Sequence, residues 1–318
     1  MTNVGTEHEC LTSSRKPSSM ASQSWIADRA LPILRKKPET SAAELLEKLE
    51  EDFGITLTYW TVWKGREKAM RNLYGTWEES FQLLYSYKAE IELWSPGSVV
   101  EIDTKNVDGE VYFNRFFIAL KPCIDGFLSG CRPYISIDST QLNGKWNGQL
   151  AVATALDGHN WMFPIAFGFF DAETTENWTW FMSQLKRAIG DPPVLAVCTD
   201  ACKGLENAVK AVFPNAEKRE CIKHLMSNLV KKFHGKVYNR MWPAARAYER
   251  EIYEHHMSKI FAASVKVAPY LLQHHNLLWM RCIFKLMSIS CSLYYYCTNL
   301  IRLAFSGVDS IQISSVTP

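Results

Sequence analysis

The chain has 318 residues, 47% hydrophobic and 21% charged, with a formal net charge of +2. That length supports one sizeable core plus a smaller domain, and the near-neutral balance excludes binding to nucleic acid or membrane through overall charge alone, leaving only a local basic face. Nine cysteines, odd in number and scattered, fit free thiols in a reducing compartment better than a disulfide framework.

Residues 1–24 are rich in Ser, Thr and Lys, lack the apolar core of a signal peptide, and read as disordered. Residues 25–95 read as helical with helix-turn-helix grammar. Thr40 or Ser41 caps a first helix, with Glu44 three residues after Ser41 as a capping box requires. Leu45, Leu46, Leu49 and Phe53 form its apolar stripe, and Gly54 breaks it. A second helix starts near Thr58, with Leu45, Leu49, Trp60 and Trp63 expected inward. It carries Lys64, Arg66, Lys68 and Arg71, placed where a recognition helix presents its DNA contacts. A helical hairpin with a solvated basic face is the alternative. An amphipathic helix then runs to Ser95-Pro96-Gly97.

Residues 96–132 read as a hairpin and connector. Asp108-Gly109 is the hairpin turn, and the apolar run from Phe113 to Cys131 reads as a short helix. From Pro133 the pattern changes. "PYISIDSTQL", "QLAVATALDG" and "WMFPIAFGFFD" are three strands joined by tight connections, an antiparallel meander. "TENWTWFMSQLKRAIG" is a helix, "PPVLAVCTD" a buried strand ending on Asp200, "CKGLENAVKAVFPNA" a helix, and "KRECIKHLMSNLVKKFHG" a short strand running into another helix. The order βββ-α-β-α-β-α over residues 133–235 is that of an RNase H-like α/β domain, a mixed sheet with flanking helices, preceded here by the small helical region. Residues 236–281 begin a further helical segment.

Asp138 sits in an otherwise apolar strand. In a sheet of this order its strand lies beside the one ending at Asp200. Two carboxylates that close repel, and a divalent cation such as Mg²⁺ reconciles them. Two such ions serve in-line phosphoryl transfer. Equally open is that each aspartate merely caps the turn that follows. Cys221 and His224 form a C-x-x-H at a strand-to-helix turn. They are two of the four ligands a structural zinc wants, so a buried thiol beside a histidine near the carboxylates is the favoured reading, with a partial metal site as the alternative.

Together "IDSTQLNGKWNGQLAVATALDGHNWMFPIAFGFFDAETTENWTWFMSQLKRAI", "CTDACKGLENAVKAVFPNAEKRECIKHLMSNLVKKF" and "MWPAARAYEREIYEHHM" resemble the transposase domain of plant Mutator-like elements, over about residues 25–280. The resemblance implies a DDE catalytic triad whose first two acids are Asp138 and Asp200, Mg²⁺ or Mn²⁺ as cofactor, terminal inverted-repeat DNA as partner, and a nuclear location. It leaves self-association open. Relatives also include host regulators that have lost transposition, so a DNA-binding regulator without catalysis is the alternative, and an unrelated RNase H-like nuclease a third reading.

The chain departs from the family at both ends, as though truncated. "EHEC" offers only His8 and Cys10 of a zinc finger, too few to fold on metal, so zinc is not expected. The family's third acid lies beyond the point where residues 282–318 lose any family motif. Glu249, Glu251 and Glu254 are the nearest spare acids, expected to face water while Tyr248 and Ile252 pack inward. Two acids alone lead to the expectation that the chain does not transpose. The uncharged stretch 286–301 is too short and too polar for a membrane span.

Overall fold

The computed structural model describes residues 21–143, 147–233 and 235–283. Residues 1–20, with His8 and Cys10, and the tail from 284 onward lie outside them, as does the 286–301 stretch. Among the described residues no helix is long and apolar enough to cross a membrane. The chain divides into two compact units, with the division between Gln82 and Leu83.

The first unit is built on three helices, α1 (Gln23–Lys36), α2 (Ala42–Phe53) and α3 (Tyr59–Tyr74). Ser41 and Glu44 close a reciprocal capping box at the start of α2. Gly54, at φ 61°, ends that helix in the left-handed conformation a glycine adopts without steric cost. Thr58 caps α3 through the Thr61 N–H. Leu45 and Leu49 point inward as expected, but Trp60 and Trp63 do not, being 66% and 39% exposed. The reason is the phase of α3. Its buried stripe is Val62, Gly65, Ala69 and Met70, and a Cβ on Gly65 would stand 2.4 Å from Ile26 Cγ2 of α1. The two helices therefore touch almost backbone to side chain, and the bulky indoles are turned away to stack edge to face on each other, ring centroids 5.4 Å apart.

Helix α4 (Trp77–Trp94) runs across the division between the units. The expected amphipathic burial is not found: none of its described side chains is fully buried, and Leu83, Leu93 and Trp94 are largely exposed.

The second unit is organised on a seven-stranded mixed sheet in the order β1-β2-β5-β4-β3-β6-β7. Strands β1 (Val99–Val107) and β2 (Glu110–Ala119) form a hairpin closed by Asp108 and Gly109, both at positive φ as a tight two-residue turn demands. Residues Phe113–Ala119, read from sequence as part of a helix, belong to β2, and only α5 (Lys121–Gly130) is helical. An apolar run of that length has no period that separates strand from helix, and pairing decides it: Phe116 of β2 lies opposite Phe169, which joins the hairpin to the main sheet.

The meander of β3 (Tyr134–Asn143), β4 (Asn147–Leu156) and β5 (Met162–Phe170) is antiparallel. Helix α6 (Thr175–Ile189) covers it. Trp178, Phe181 and Leu185 of α6 are fully buried, and Phe181 rests on β5 where Gly168 has no Cβ to obstruct it. Strand β6 (Ala196–Thr199) pairs parallel with β3, and β7 (Glu217–Glu220) parallel with β6, through the crossover α7 (Lys203–Val212). These connections build the expected mixed α/β sheet with flanking helices.

Helix α8 (Ile222–Val230) leads into α9 (Lys236–Arg246), α10 (Arg250–Ala263) and α11 (Val267–His274), which share a second apolar core around Leu225, Met241, Ile260 and Trp279. The chain then returns to the sheet edge, where Leu278 bridges Arg219 and its carbonyl accepts from the Glu220 N–H.

Candidate active site

Strands β3 and β6 lie side by side in the same direction, with Ser136 opposite Cys198. Two residues further along each strand stand Asp138 and Asp200, at the carboxyl edge where an open α/β sheet meets its ligands. Asp138 is still within β3, opposite Val152 of β4, and its side chain is 14% exposed. Asp200 follows the last residue of β6. Its Oδ1 accepts the Cys202 N–H at 3.0 Å, an aspartate turn that leads into α7. The cap reading of Asp200 thus describes a contact that exists, and it leaves the other carboxylate oxygen to the site.

His224 comes in from the first turn of α8. Its Nε2 lies 3.9 Å from Asp138 Oδ2, while its buried Nδ1 meets no hydrogen-bonding group among the described residues. Burial pushes the Asp200 carboxyl above its ordinary range. The Cys202 N–H and the charge of His224 pull the other way, and Glu206 adds to the rise. An acid destabilised as an anion is one that gains from a nearby cation.

The sequence reading missed Glu173. It lies in the loop from β5 to α6, one residue before the cap Thr174. Ser139 Oγ, adjacent in sequence to Asp138, donates to Glu173 Oε1 at 2.8 Å. Although the residue is exposed as a whole, burial raises its carboxyl first. The Ser139 hydrogen bond opposes this, the charge of Asp200 adds to it, and that of His224 lowers it. The topology contains the signal. β5 is antiparallel to β4 and β4 to β3, so β5 and β3 end at the same sheet edge. By contrast Glu249, Glu251 and Glu254 sit exposed at the start of α10, and Glu254 faces Arg250 at 4.0 Å. The expected inward packing of Tyr248 and Ile252 is not found, since they are 68% and 45% exposed. The helix turns Met257 and Ile260 inward instead.

Cys221 caps α8 without a side-chain hydrogen bond to the helix. It lies buried in a small apolar cluster with Tyr134, Leu156 and Cys198, and its N–H reaches the Thr199 carbonyl at 2.7 Å. His224 faces Asp138, so the two members of the C-x-x-H have different surroundings.

Among the described residues no three His, Cys, Asp or Glu side chains are placed as a ready cage for a metal ion. This bears differently on different metals. Structural zinc wants four protein ligands, whereas Mg²⁺ keeps several waters and takes one or two carboxylates. The hard oxygen donors of Asp138 and Asp200 fit the second kind of ion.

The four basic residues are on α3 in the first unit. Lys64, Lys68 and Arg71 are exposed and spaced i, i+4, i+7 along one helical face. Arg66 is not part of that face. Its Nε donates to the Thr40 carbonyl at 2.7 Å and Nη2 to the Pro38 carbonyl at 3.2 Å, tying α3 to the entry of α2. Its role is internal, contrary to its assignment with the other three.

Residues 134–228, from the first residue of β3 into α8, match the family model described as the MULE transposase domain. The chain is 28% identical over 176 residues to Protein FAR1-RELATED SEQUENCE 6 of Arabidopsis thaliana, covering 54% of this chain and 23% of that protein. A second similarity, 33% over 67 residues, is to the PKS-NRPS hybrid synthetase cheA of Chaetomium globosum, covering 20% of this chain and 1% of that protein, too small a share to carry its activity across. The chain thus spans about a quarter of the length of its Arabidopsis relative. Asp138, Asp200 and His224 all lie inside the segment that is similar to the MULE transposase domain.

Proposed function

We propose that the carboxyl edge of β3 and β6 is the active site of a DDE-type, divalent-cation-dependent domain that cleaves and joins DNA. One observation carries this reading: the parallel register that sets Asp138, within β3, beside the end of β6 where Asp200 follows, inside the transposase-matched segment. Asp138 and Asp200 would hold Mg²⁺ or Mn²⁺, which when bound supplies Lewis-acid polarisation of a scissile phosphate. The Cys202 N–H orients the Asp200 carboxylate. His224 presents Nε2 to Asp138 Oδ2 at 3.9 Å. A DNA substrate places the protein in the nucleus.

A second reading, a DNA-binding regulator without catalysis, is favoured by the exposed face of Lys64, Lys68 and Arg71. The test is cleavage of inverted-repeat DNA by the purified chain in Mg²⁺ or Mn²⁺. Cation-dependent strand cleavage that disappears in both Asp138→Asn and Asp200→Asn supports the catalytic reading. Salt-sensitive binding without cleavage supports the regulator.

A further inference from the structure

We infer that the exposed face of α3 binds unpaired DNA, with Trp60 as a platform on which a base stacks and Lys64, Lys68 and Arg71 holding the phosphates that follow. The inference rests on the DNA-binding reading of that face and deepens it, from DNA to a single strand.

Trp60, Lys64, Lys68 and Arg71 stand at i, i+4, i+8 and i+11 of α3, one stripe along the helix. Of the side chains that α3 exposes, none is acidic. Its one acid, Glu67, is half-buried and lies 3.3 Å from the Arg66 guanidinium. The stripe is cationic along its length, and the partner that complements it is a polyanion.

The indoles select among polyanions. Trp60 and Trp63 are turned outward and meet edge to face, with ring centroids 5.4 Å and planes 80° apart. Such a contact covers at most one face of one ring. It leaves ring surface open and fixes the orientation of the pair before any ligand arrives. A helix that reads a closed duplex does so with side chains that hydrogen-bond to base edges. An indole has a single N–H for that purpose, and inside a duplex the base faces are already stacked on one another. Unpaired bases have free faces, and stacking on aromatic side chains is how proteins hold them. Beyond the indoles the cations continue at one-turn intervals, about 5–6 Å apart, as tracking a single-stranded backbone requires.

The test is binding of labelled oligothymidylate by the full chain, beside two probes of equal length: a closed duplex, and an abasic strand that keeps the phosphates and lacks the bases. Trp60→Ala is expected to weaken oligothymidylate about 5- to 150-fold, the worth of one stacked base, and to leave the duplex and the abasic strand unchanged. Its urea midpoint should be unaltered, since Trp60 is 66% exposed. Trp60→Phe, which retains a ring, should recover most of the affinity. If Trp60→Ala does not fold, Trp60→Leu, which keeps apolar bulk without a ring, decides: a loss confined to oligothymidylate supports the inference, and unchanged binding overturns it. Equal weakening of all three probes by Trp60→Ala gives Trp60 a structural role and overturns it as well. Oligothymidylate binding that survives Trp60→Ala but is lost when Lys64, Lys68 and Arg71 are replaced by alanine overturns the stacking and leaves the DNA-binding reading intact. Binding of no DNA probe, or binding indifferent to that triple replacement, leaves the face to a protein partner and overturns both.

Discussion

Gly204 meets the backbone of Glu173 so closely that a methyl group at Gly204 would stand 3.1 Å from its carbonyl oxygen. The contact joins the start of α7 to the loop ahead of α6. All three atoms nearest that methyl group are backbone, so no flexible side-chain end is there to give way. Gly204→Ala gains helix propensity worth about 1 kcal/mol but overpacks the junction at a cost of about 1–3 kcal/mol. The expected outcome is a net destabilisation of roughly 1 kcal/mol in chemical denaturation. A stabilised variant would show the close approach to be incidental.

Glu220, at the end of β7, predicts a dependence on pH. Its side chain is 1% exposed, His275 Nδ1 hydrogen-bonds its Oε1, and its Oε2 meets no hydrogen-bonding group among the described residues. Burial is the largest influence and raises its affinity for a proton. His275 opposes this by hydrogen bond and charge, Glu206 adds to it, and Lys203 opposes it. Beyond His275, Tyr270 Oη lies 3.2 Å from the other ring nitrogen. A carboxyl whose folded pKa is raised contributes stability that is fully present below its ordinary value of 4.5 and lost as pH rises through the folded value. Glu220→Gln removes that loss and keeps an oxygen for His275. Its advantage over the unsubstituted chain should open above pH 4.5 and close below it, read from urea midpoints at a series of pH values. Parallel profiles would count against the assignment.

Trp178 anchors the main core. It is fully buried, with ring centroids 5.0 Å from Phe170 and 5.8 Å from Phe181, both edge to face. Trp178→Ala should cost about 3–5 kcal/mol. Its Nε1–H is buried without a partner among the described residues, so Trp178→Phe, which removes that donor and retains the aromatic contact, should cost much less. Equal losses for the two variants, measured by guanidinium denaturation, would deny the orphaned N–H any part.

The features legible in sequence were the local ones. The Ser41–Glu44 capping box and the Asp108-Gly109 turn are written in a few adjacent residues whose hydrogen bonds close on themselves. The strand order was legible because a meander and two parallel crossovers alternate periods of two and 3.6. The orientation of Trp60 and Trp63 was not, because the phase of α3 is decided by Gly65 against Ile26, a contact 39 positions apart in sequence. The assignment of Phe113–Ala119 waited on its partner β5. Glu173 required one further step, following strand directions around the meander to see that β5 ends where β3 does.

Arg66 and its neighbours on α3 separate structure from binding. Arg66 has a side chain 16% exposed, donates to two carbonyls from the segment before α2, and lies 3.3 Å from Glu67. Truncating it leaves those carbonyls without their charged donor, and such bonds are worth about 1.5–3 kcal/mol. Arg66→Ala should therefore lower the stability of the chain by an amount in that range. Lys64, Lys68 and Arg71 make no such commitment to the fold, the Lys68 contact with Ser24 Oγ at 2.7 Å being at the surface. Replacing these three by alanine should change stability by less than about 0.5 kcal/mol. If the face binds DNA through phosphates, each lost contact flattens the slope of log affinity against log salt by about 0.9. The triple variant should then lose about 2.7 in that slope, and Arg66→Ala, measured below its unfolding transition, should lose none. A triple variant with the salt slope of the unsubstituted chain would place the DNA contacts elsewhere.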